Sequence, residues 1–297
     1  MRQNEPVIRN ISDTAHWAAV YRARENERPG SLFRDPFARR LAGERGEQIF
    51  AALPARDRNE WAWVTRTFLY DQLIAGQLEQ GVDMVVNLAA GLDARPYRMP
   101  LSSSLRWIEV DLPGILTYKE DVLRNEKPAC ALERVRLDLS DVNARRALFE
   151  RLGRGAASAL IITEGLLIYL TEDQVGALAR DLAAQTGFRH WVLDIVSPGL
   201  LRMMHRRMGA QLSQASAPFK FAPREGPEFF IPLGWRPADV RSMAQTAVRQ
   251  GRAPLLLRLL SFLPESKARQ GSRPWSGICL LEKRFGPGVL PKNAPRP

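Results

Sequence analysis

The stretch Val82-Asp83-Met84-Val85-Val86-Asn87-Leu88-Ala89-Ala90-Gly91 decides the fold of this 297-residue chain. Residues 82–88 form a short apolar run rich in β-branched side chains and closed by a glycine, the pattern of a buried strand. Just before it, residues 56–80 carry a long helical pattern that ends near Gly81. After it, strand-like runs recur at 105–110, 134–139, 159–163 and 190–196, with helical patterns between them. Pro113 suits a first helical turn and opens a helix reaching about Asn125. Ser140 or Asp141 caps the next helix, which stops near Gly153. Thr171 with Gln174 makes a capping box, and the helix behind it ends at Gly187. Strands alternating with helices predict parallel βαβ units with right-handed crossovers.

Further out, residues 12–25 read as a helix with Ser12 or Asp13 as N-cap, and Pro36 opens another. Residues 199–215 read as a helix with Leu200, Leu201, Met204 and Met208 on one side. Proline and glycine punctuate 218–237, residues 238–250 read as an amphipathic helix, and 276–283 read as a last strand. The tail 286–297 has prolines and no apolar periodicity, so disorder is expected there. The organisation expected is one domain over 1–285, with residues 12–80 as an N-terminal helical cap and 197–235 as a lid insertion.

Composition narrows the function classes. Hydrophobic residues make up 45% and charged residues 25%, the balance of a globular chain. No run approaches the roughly 20 apolar residues of a membrane span. The opening MRQNEPVIRN lacks the apolar region of a secretory signal, so no membrane partner is expected. Cys130 and Cys279 stand far apart, which argues against a zinc site or disulfide framework and fits a cytoplasmic location; no metal is expected. The net charge of +11 comes from scattered arginines without a long basic block or aromatic RNA-binding motif. It reads as a solvated surface with scope for a positive pocket, and not as a nucleic-acid interface.

Open α/β sheets bind ligands at the carboxyl ends of their strands. Here those ends read Ala89-Ala90-Gly91-Leu92-Asp93, Glu109-Val110-Asp111, Leu137-Asp138-Leu139 and Thr163-Glu164-Gly165. Each offers an acidic side chain, a glycine, or both. Any one of them is explicable as a cap or turn, but four together are costly unless hydrogen-bonded to something. Gly91 lets a ligand approach the backbone. Asp111 lies about 20 residues further on, the placement of a ribose-binding carboxylate. Asp138 and the Leu139 backbone are placed to read an adenine edge, and Glu164 to accept from a ligand amine. The three glycines of the dinucleotide fingerprint are absent, since only Gly91 is present. A ligand with one nucleoside and no phosphate, such as S-adenosylmethionine, fits better.

The segments Asp13-Thr-Ala-His-Trp17, Tyr21-Arg22-Ala23, Leu32-Phe33-Arg34-Asp35-Pro36-Phe37-Ala38, Arg66-Thr67, 86–95, Glu109-Val110-Asp111-Leu112-Pro113 and Thr163-Glu164-Gly165-Leu166-Leu167-Ile168-Tyr169-Leu170 carry a resemblance. In this order, and with Gly234-Trp235 late in the chain, they resemble the leucine carboxyl methyltransferase family. The likeness is to its bacterial branch of S-adenosylmethionine-dependent O-methyltransferases, which includes polyketide carboxyl methyltransferases. The resemblance implies a Rossmann-like class I methyltransferase fold: a mostly parallel seven-stranded sheet with an antiparallel last strand. It implies S-adenosyl-L-methionine as cofactor, with Arg66 on its carboxylate, Gly91 at the methionine part, Asp111 on the ribose, Asp138 and Leu139 near adenine, and Glu164 near the reacting centre. One departure stands out. The family has glycine-any-glycine where this chain has Ala89-Ala90-Gly91, and the Ala89 methyl stands where the cofactor would pass.

S-adenosylmethionine brings its own activated methyl group, so such an enzyme mainly supplies alignment. A carboxylate acceptor is ionised at neutral pH and needs no base, whereas a phenol or alcohol needs one. The candidates for catalytic contact are Glu164, Tyr169, His16 and His205, although packing accounts better for His16 and a solvated helix face for His205. His190 falls at the wrong end of the sheet. Arg22, Trp17 and Phe33 are the candidates for acceptor binding. This shortage of bases favours a small-molecule carboxylate as acceptor. Three other readings remain open: methylation of a phenol or alcohol, methylation of a protein carboxyl terminus, and a non-catalytic binding protein whose cofactor has been lost.

Overall fold

The computed structural model describes residues 10–53, 59–214, 218–260, 271 and 273–284. Three helices come first: α1 (Asp13–Asn26), α2 (Ala38–Ala52) and α3 (Glu60–Glu79). Then follow β1 (Met84–Leu88), the short α4 (Arg95–Arg98), β2 (Arg106–Asp111), α5 (Pro113–Leu123), β3 (Ala131–Arg136), α6 (Val142–Arg154), β4 (Ala159–Thr163), α7 (Glu172–Ala183) and β5 (Phe188–Val196). The chain ends with α8 (Pro198–Gln214), β6 (Trp235–Ser242), α9 (Met243–Arg249), α10 (Leu255–Leu260) and β7 (Ser276–Lys283).

The seven strands form one sheet in the order β3-β2-β1-β4-β5-β7-β6. Neighbours from β3 through β5 are parallel, and β7 runs antiparallel to both β5 and β6. The strand order reverses at β1, which lies between β2 and β4, so the crevice at this switch point is where an open sheet binds a ligand. Every residue of β1 and β4 is buried, as their charge-free, mostly apolar sequences require, with Asn87 and Thr163 as the buried polar exceptions. One core fills the face beneath α6 and α7, around Val86, Ile161, Phe149 and Trp191. A second, around Tyr70, Trp107 and Ile278, lies beneath α3.

Local chemistry sets the helix starts. Asp141 caps α6 by accepting from Ala144 N at 3.0 Å. Thr171 and Gln174 form a full capping box on α7. Ser12 occupies the cap position of α1 without a side-chain bond; the Asp13 N–H donates instead to Asn10 Oδ1.

The fold corrects two expectations. Residues 238–250 are not one helix: 238–242 belong to β6, and only Met243–Arg249 is helical. Pro237 is accommodated because β6 is an edge strand. The third strand also ends three residues early, at Arg136, so Leu137, Asp138 and Leu139 lie in the loop beyond it. The expectation for 286–297 lies outside the described residues. No helix among the described residues is long and apolar enough to cross a membrane.

Candidate active site

Residue register builds the site. Leu88 pairs with Val110, so the Ala89–Gly91 turn leaves β1 directly beside Asp111 at the end of β2. Gly91 has φ +49° and its N–H donates to Asp111 Oδ2 at 2.6 Å, while Leu112 N donates to Oδ1 at 2.7 Å. A Cβ on Gly91 would lie 3.1 Å from the Ala15 Cβ, so the turn is pressed against α1 and glycine is required there. Burial pushes the Asp111 carboxyl above its ordinary value, opposed by those two backbone bonds.

At the end of β4, Glu164 is held on both oxygens: Arg66 Nε donates to Oε1 at 3.0 Å and Arg95 Nη1 to Oε2 at 2.8 Å. Gly165, at φ +67°, leaves space for Arg66, whose Nη1 would stand 3.1 Å from an added Cβ. The Arg66 guanidinium stacks 4.7 Å over the Trp63 ring. Behind them Asp194 accepts from Gly165 N at 2.6 Å and from the Tyr70 hydroxyl at 3.0 Å.

A cavity of about 500 Å³ runs along these strand ends, within the range of roughly 300–1,000 Å³ typical of small-molecule sites. Arg66, Ala89, Gly91, Asp111, Asp138, Leu139 and Glu164 all line it, as do Tyr169 and Arg22. Arg22 is already engaged, by Asp35 at 2.9 Å and by the Leu92 carbonyl at 2.6 Å. Asp138 is exposed and turns its Oδ1 to Ser140 N at 2.8 Å.

Four other candidates lie outside the lining. His16 bonds the Ala42 carbonyl at 3.0 Å and packs on Tyr118. His205 bonds the Phe219 carbonyl at 2.8 Å. Trp17 belongs to an aromatic cluster with Tyr21, Trp63 and Phe219, and Phe33 packs under the Arg98 guanidinium. Sequence reasoning missed Asn87, Trp63 and Arg145 in the lining and Arg95 just behind it. The signal for Arg95 was its place beside Asp93, which fills the turn and accepts from both Asn87 and Arg95 at 2.9 Å. Among the described residues, no group of three or more His, Cys, Asp or Glu side chains is placed to hold a metal ion.

Residues 15–183 match the description of the leucine carboxyl methyltransferases. The chain belongs to the leucine carboxyl methyltransferase family. Within the family's reach, it is 31% identical over 275 residues to a provisionally named S-adenosyl-L-methionine-dependent methyltransferase of Streptomyces avermitilis, spanning 87% of this chain and 92% of that one. A provisionally named methyltransferase of the same kind from Frankia alni is 31% identical over 254 residues, spanning 82% and 88%. Among solved structures, a DUF574 family protein of Streptomyces avermitilis superposes with TM-score 0.58 at 12% identity, covering 91% of this chain and 97% of that one. A provisionally named methyltransferase of Thermobifida fusca gives TM-score 0.53 at 15% identity, covering 94% and 96%. These structural matches establish the class I methyltransferase fold for this member of the leucine carboxyl methyltransferase family.

Proposed function

We propose that this chain is an S-adenosyl-L-methionine-dependent O-methyltransferase that esterifies a carboxylate of a small, polyketide-like molecule. The observation carrying the reading is that Gly91, Asp111 and Glu164, from three different strand ends, line one cavity with Arg66. The residues fit the cofactor. The desolvated Asp111 carboxylate suits two ribose hydroxyl donors. The Nη groups of Arg66, which have no hydrogen-bond partner among the described residues, suit the methionine carboxylate. Leu139 and Asp138 close the opposite end, where an adenine would lie. The described residues of 12–80, with α1 and α3 in the cavity lining, then act as a cap, and those of 197–235 as a lid over the strand ends.

When bound, S-adenosylmethionine supplies a methyl group activated on a sulfonium. The chain's own residues have to bind, orient and exclude water. A carboxylate acceptor is favoured because no imidazole among the described residues lines the cavity. The two Glu164 oxygens already accept from guanidinium groups, so taking a proton there would break an ion pair. Burial pushes the Tyr169 hydroxyl above its ordinary value, so it stays protonated and serves as a donor to an acceptor oxygen. A phenol or alcohol acceptor would need a base that this wall does not present.

Calorimetry with S-adenosylhomocysteine and NAD tests the cofactor: the first binds and NAD does not. Absence of sulfur-nucleoside binding would return the chain to the class of non-catalytic binding proteins. Methylated product that hydrolyses in mild base identifies an ester; a product stable to base identifies a hydroxyl acceptor and overturns the carboxylate.

A further inference from the structure

We propose that Arg95 is a positioning residue that holds Glu164 as a fixed acceptor through a buried relay of ion pairs anchored in the N-terminal helices. The inference rests on the cofactor reading above and goes further, because it assigns a task to residues behind the cavity wall. Arg95 is 2% exposed. Its Nη1 bridges Glu164 and Asp93, at 2.8 and 2.9 Å, and its Nε donates to Asp71 at 2.7 Å. A planar guanidinium fixed at three carboxylates leaves the Glu164 side chain one position.

The relay continues away from the cavity. Arg98 grips both oxygens of Asp71 at 2.7 Å, and its Nε stands 3.8 Å from Asp35. Asp35 is 1% exposed and accepts from Arg22, whose other end holds the Leu92 carbonyl of the glycine turn. The relay therefore starts at the end of β4, passes through the N-terminal helices and returns to the turn after β1. Signs alternate along its whole length, so each buried charge has an opposite neighbour.

Stability alone does not call for such a relay. Buried ion pairs are often matched or bettered by apolar side chains of similar volume, whereas removing one partner costs several kcal/mol. The feature that distinguishes this one is its end, a carboxylate on the cavity wall. Facing Glu164 are Arg66 and Tyr70 from α3, Arg95 from α4 and Asp194 from β5. Without Arg95, Glu164 would retain one guanidinium, on Oε1 alone, and Oε2 would be left free to turn away from the cavity wall. A displaced Glu164 is a poorer acceptor for the ammonium of the ligand.

The test is affinity by calorimetry at pH 7.5 for S-adenosylhomocysteine and for adenosine, which lacks the amino-acid part, with the unmodified protein and with Arg95→Met, Arg95→Lys and Asp71→Asn, each checked by thermal melting. Arg95→Met is expected to weaken S-adenosylhomocysteine about tenfold and adenosine far less. Arg95→Lys restores part of the affinity. Should the Arg95 variants fail to fold, Asp71→Asn, which keeps the cation but loosens its anchor, shows the same trend at about threefold. A folded variant with unmodified affinity for S-adenosylhomocysteine, or with an equal loss for adenosine, overturns the proposal. If the unmodified protein itself fails to bind, the cofactor reading falls and takes this inference with it.

Discussion

Ala89 is where this chain departs from its family, and the backbone has kept the shape glycine would take: φ is +55°, the only positive φ at a non-glycine among the described residues. A left-handed L-residue costs about 1–2 kcal/mol, while glycine's freedom in the unfolded chain works against it by only about 0.4–1 kcal/mol. Ala89→Gly is therefore expected to stabilise the protein by roughly 0.5–1 kcal/mol in urea unfolding. It should also tighten S-adenosylhomocysteine by removing a methyl from the lining. Unchanged stability and affinity would mean that the turn accepts alanine without strain. Asp111 makes the opposite kind of prediction. Its raised carboxyl is a strong acceptor for ligand hydroxyls when ionised and a weaker one when protonated, so affinity falls as pH drops through a value above the ordinary 3.8. Asp111→Asn should cost roughly ten- to a hundredfold in affinity, the range of a charge-assisted bond, and flatten that acid limb. Equal binding by the Asn variant would remove Asp111 from the site. These two residues were legible in the sequence because a glycine turn and a strand-end acid have fixed spacing. Arg95 was signalled only by its place beside Asp93, and Asp71 not at all, because an ion pair between helices separated in sequence leaves no periodic trace.

Among the elements, those buried on both faces could be read from sequence nearly to the residue. β4 is Ala159–Thr163, the same bounds its uncharged run predicts, because full burial excludes unpaired charge and admits Thr163 only with its hydroxyl accepting from Trp191 Nε1 at 2.9 Å. The edges were misread. β3 is exposed or half-buried along its whole length, and the alternation of Val135, Leu137 and Leu139 runs on past its end because the loop leucines also pack on the core. Across β6 and α9, Ala238, Val240, Met243 and Ala247 mimic one helical stripe, and Ser242 is the real boundary, capping α9 through Gln245 N at 3.3 Å. A further element-level feature is the attachment of α5 to β2. Lys119 and Glu109 are both fully buried and paired at 2.6 Å, with Arg134 on the other Glu109 oxygen at 2.9 Å. Lys119→Met leaves Glu109 half-compensated and is expected to cost about 3–5 kcal/mol. Adding Glu109→Gln should recover a substantial part of that loss, giving a favourable coupling in a double-mutant cycle of urea denaturation. Simple additivity would show that the pair contributes nothing as a pair.

At the scale of the whole molecule, the buried charges set how the fold responds to acid and to ligand. Burial alone would raise Asp71 and Asp93, but Arg98 and Arg95 outweigh it for the first and Arg95, Lys119 and Arg98 for the second, so both carboxyls sit below their ordinary value. A lowered carboxyl contributes stability that is complete above its unfolded value of 3.8 and is lost as pH falls toward its folded value. Unfolding below about pH 4 should therefore proceed with proton uptake by these groups. Asp71→Asn would reduce that acid sensitivity while lowering stability at neutral pH. Ligand linkage can be read from a cysteine far from the cavity. Cys279 is fully buried in β7, between β5 and β6, and burial raises its thiol far above the ordinary value. It reacts only as an exposed thiolate, so labelling at pH 8 has to follow unfolding of the sheet. S-adenosylhomocysteine at 100 times its dissociation constant adds about 2.7 kcal/mol to the folded state, which slows labelling of Cys279 by about 100-fold. Cys130 is buried just before β3 at the opposite edge, with its thiol raised to about 11; opening of that edge strand alone would expose it, so it serves as an internal reference whose rate is expected to change less. Equal slowing of both thiols would make the sheet a single cooperative unit out to its edge. No slowing of Cys279 would mean that the half of the sheet carrying β7 opens independently of the cavity.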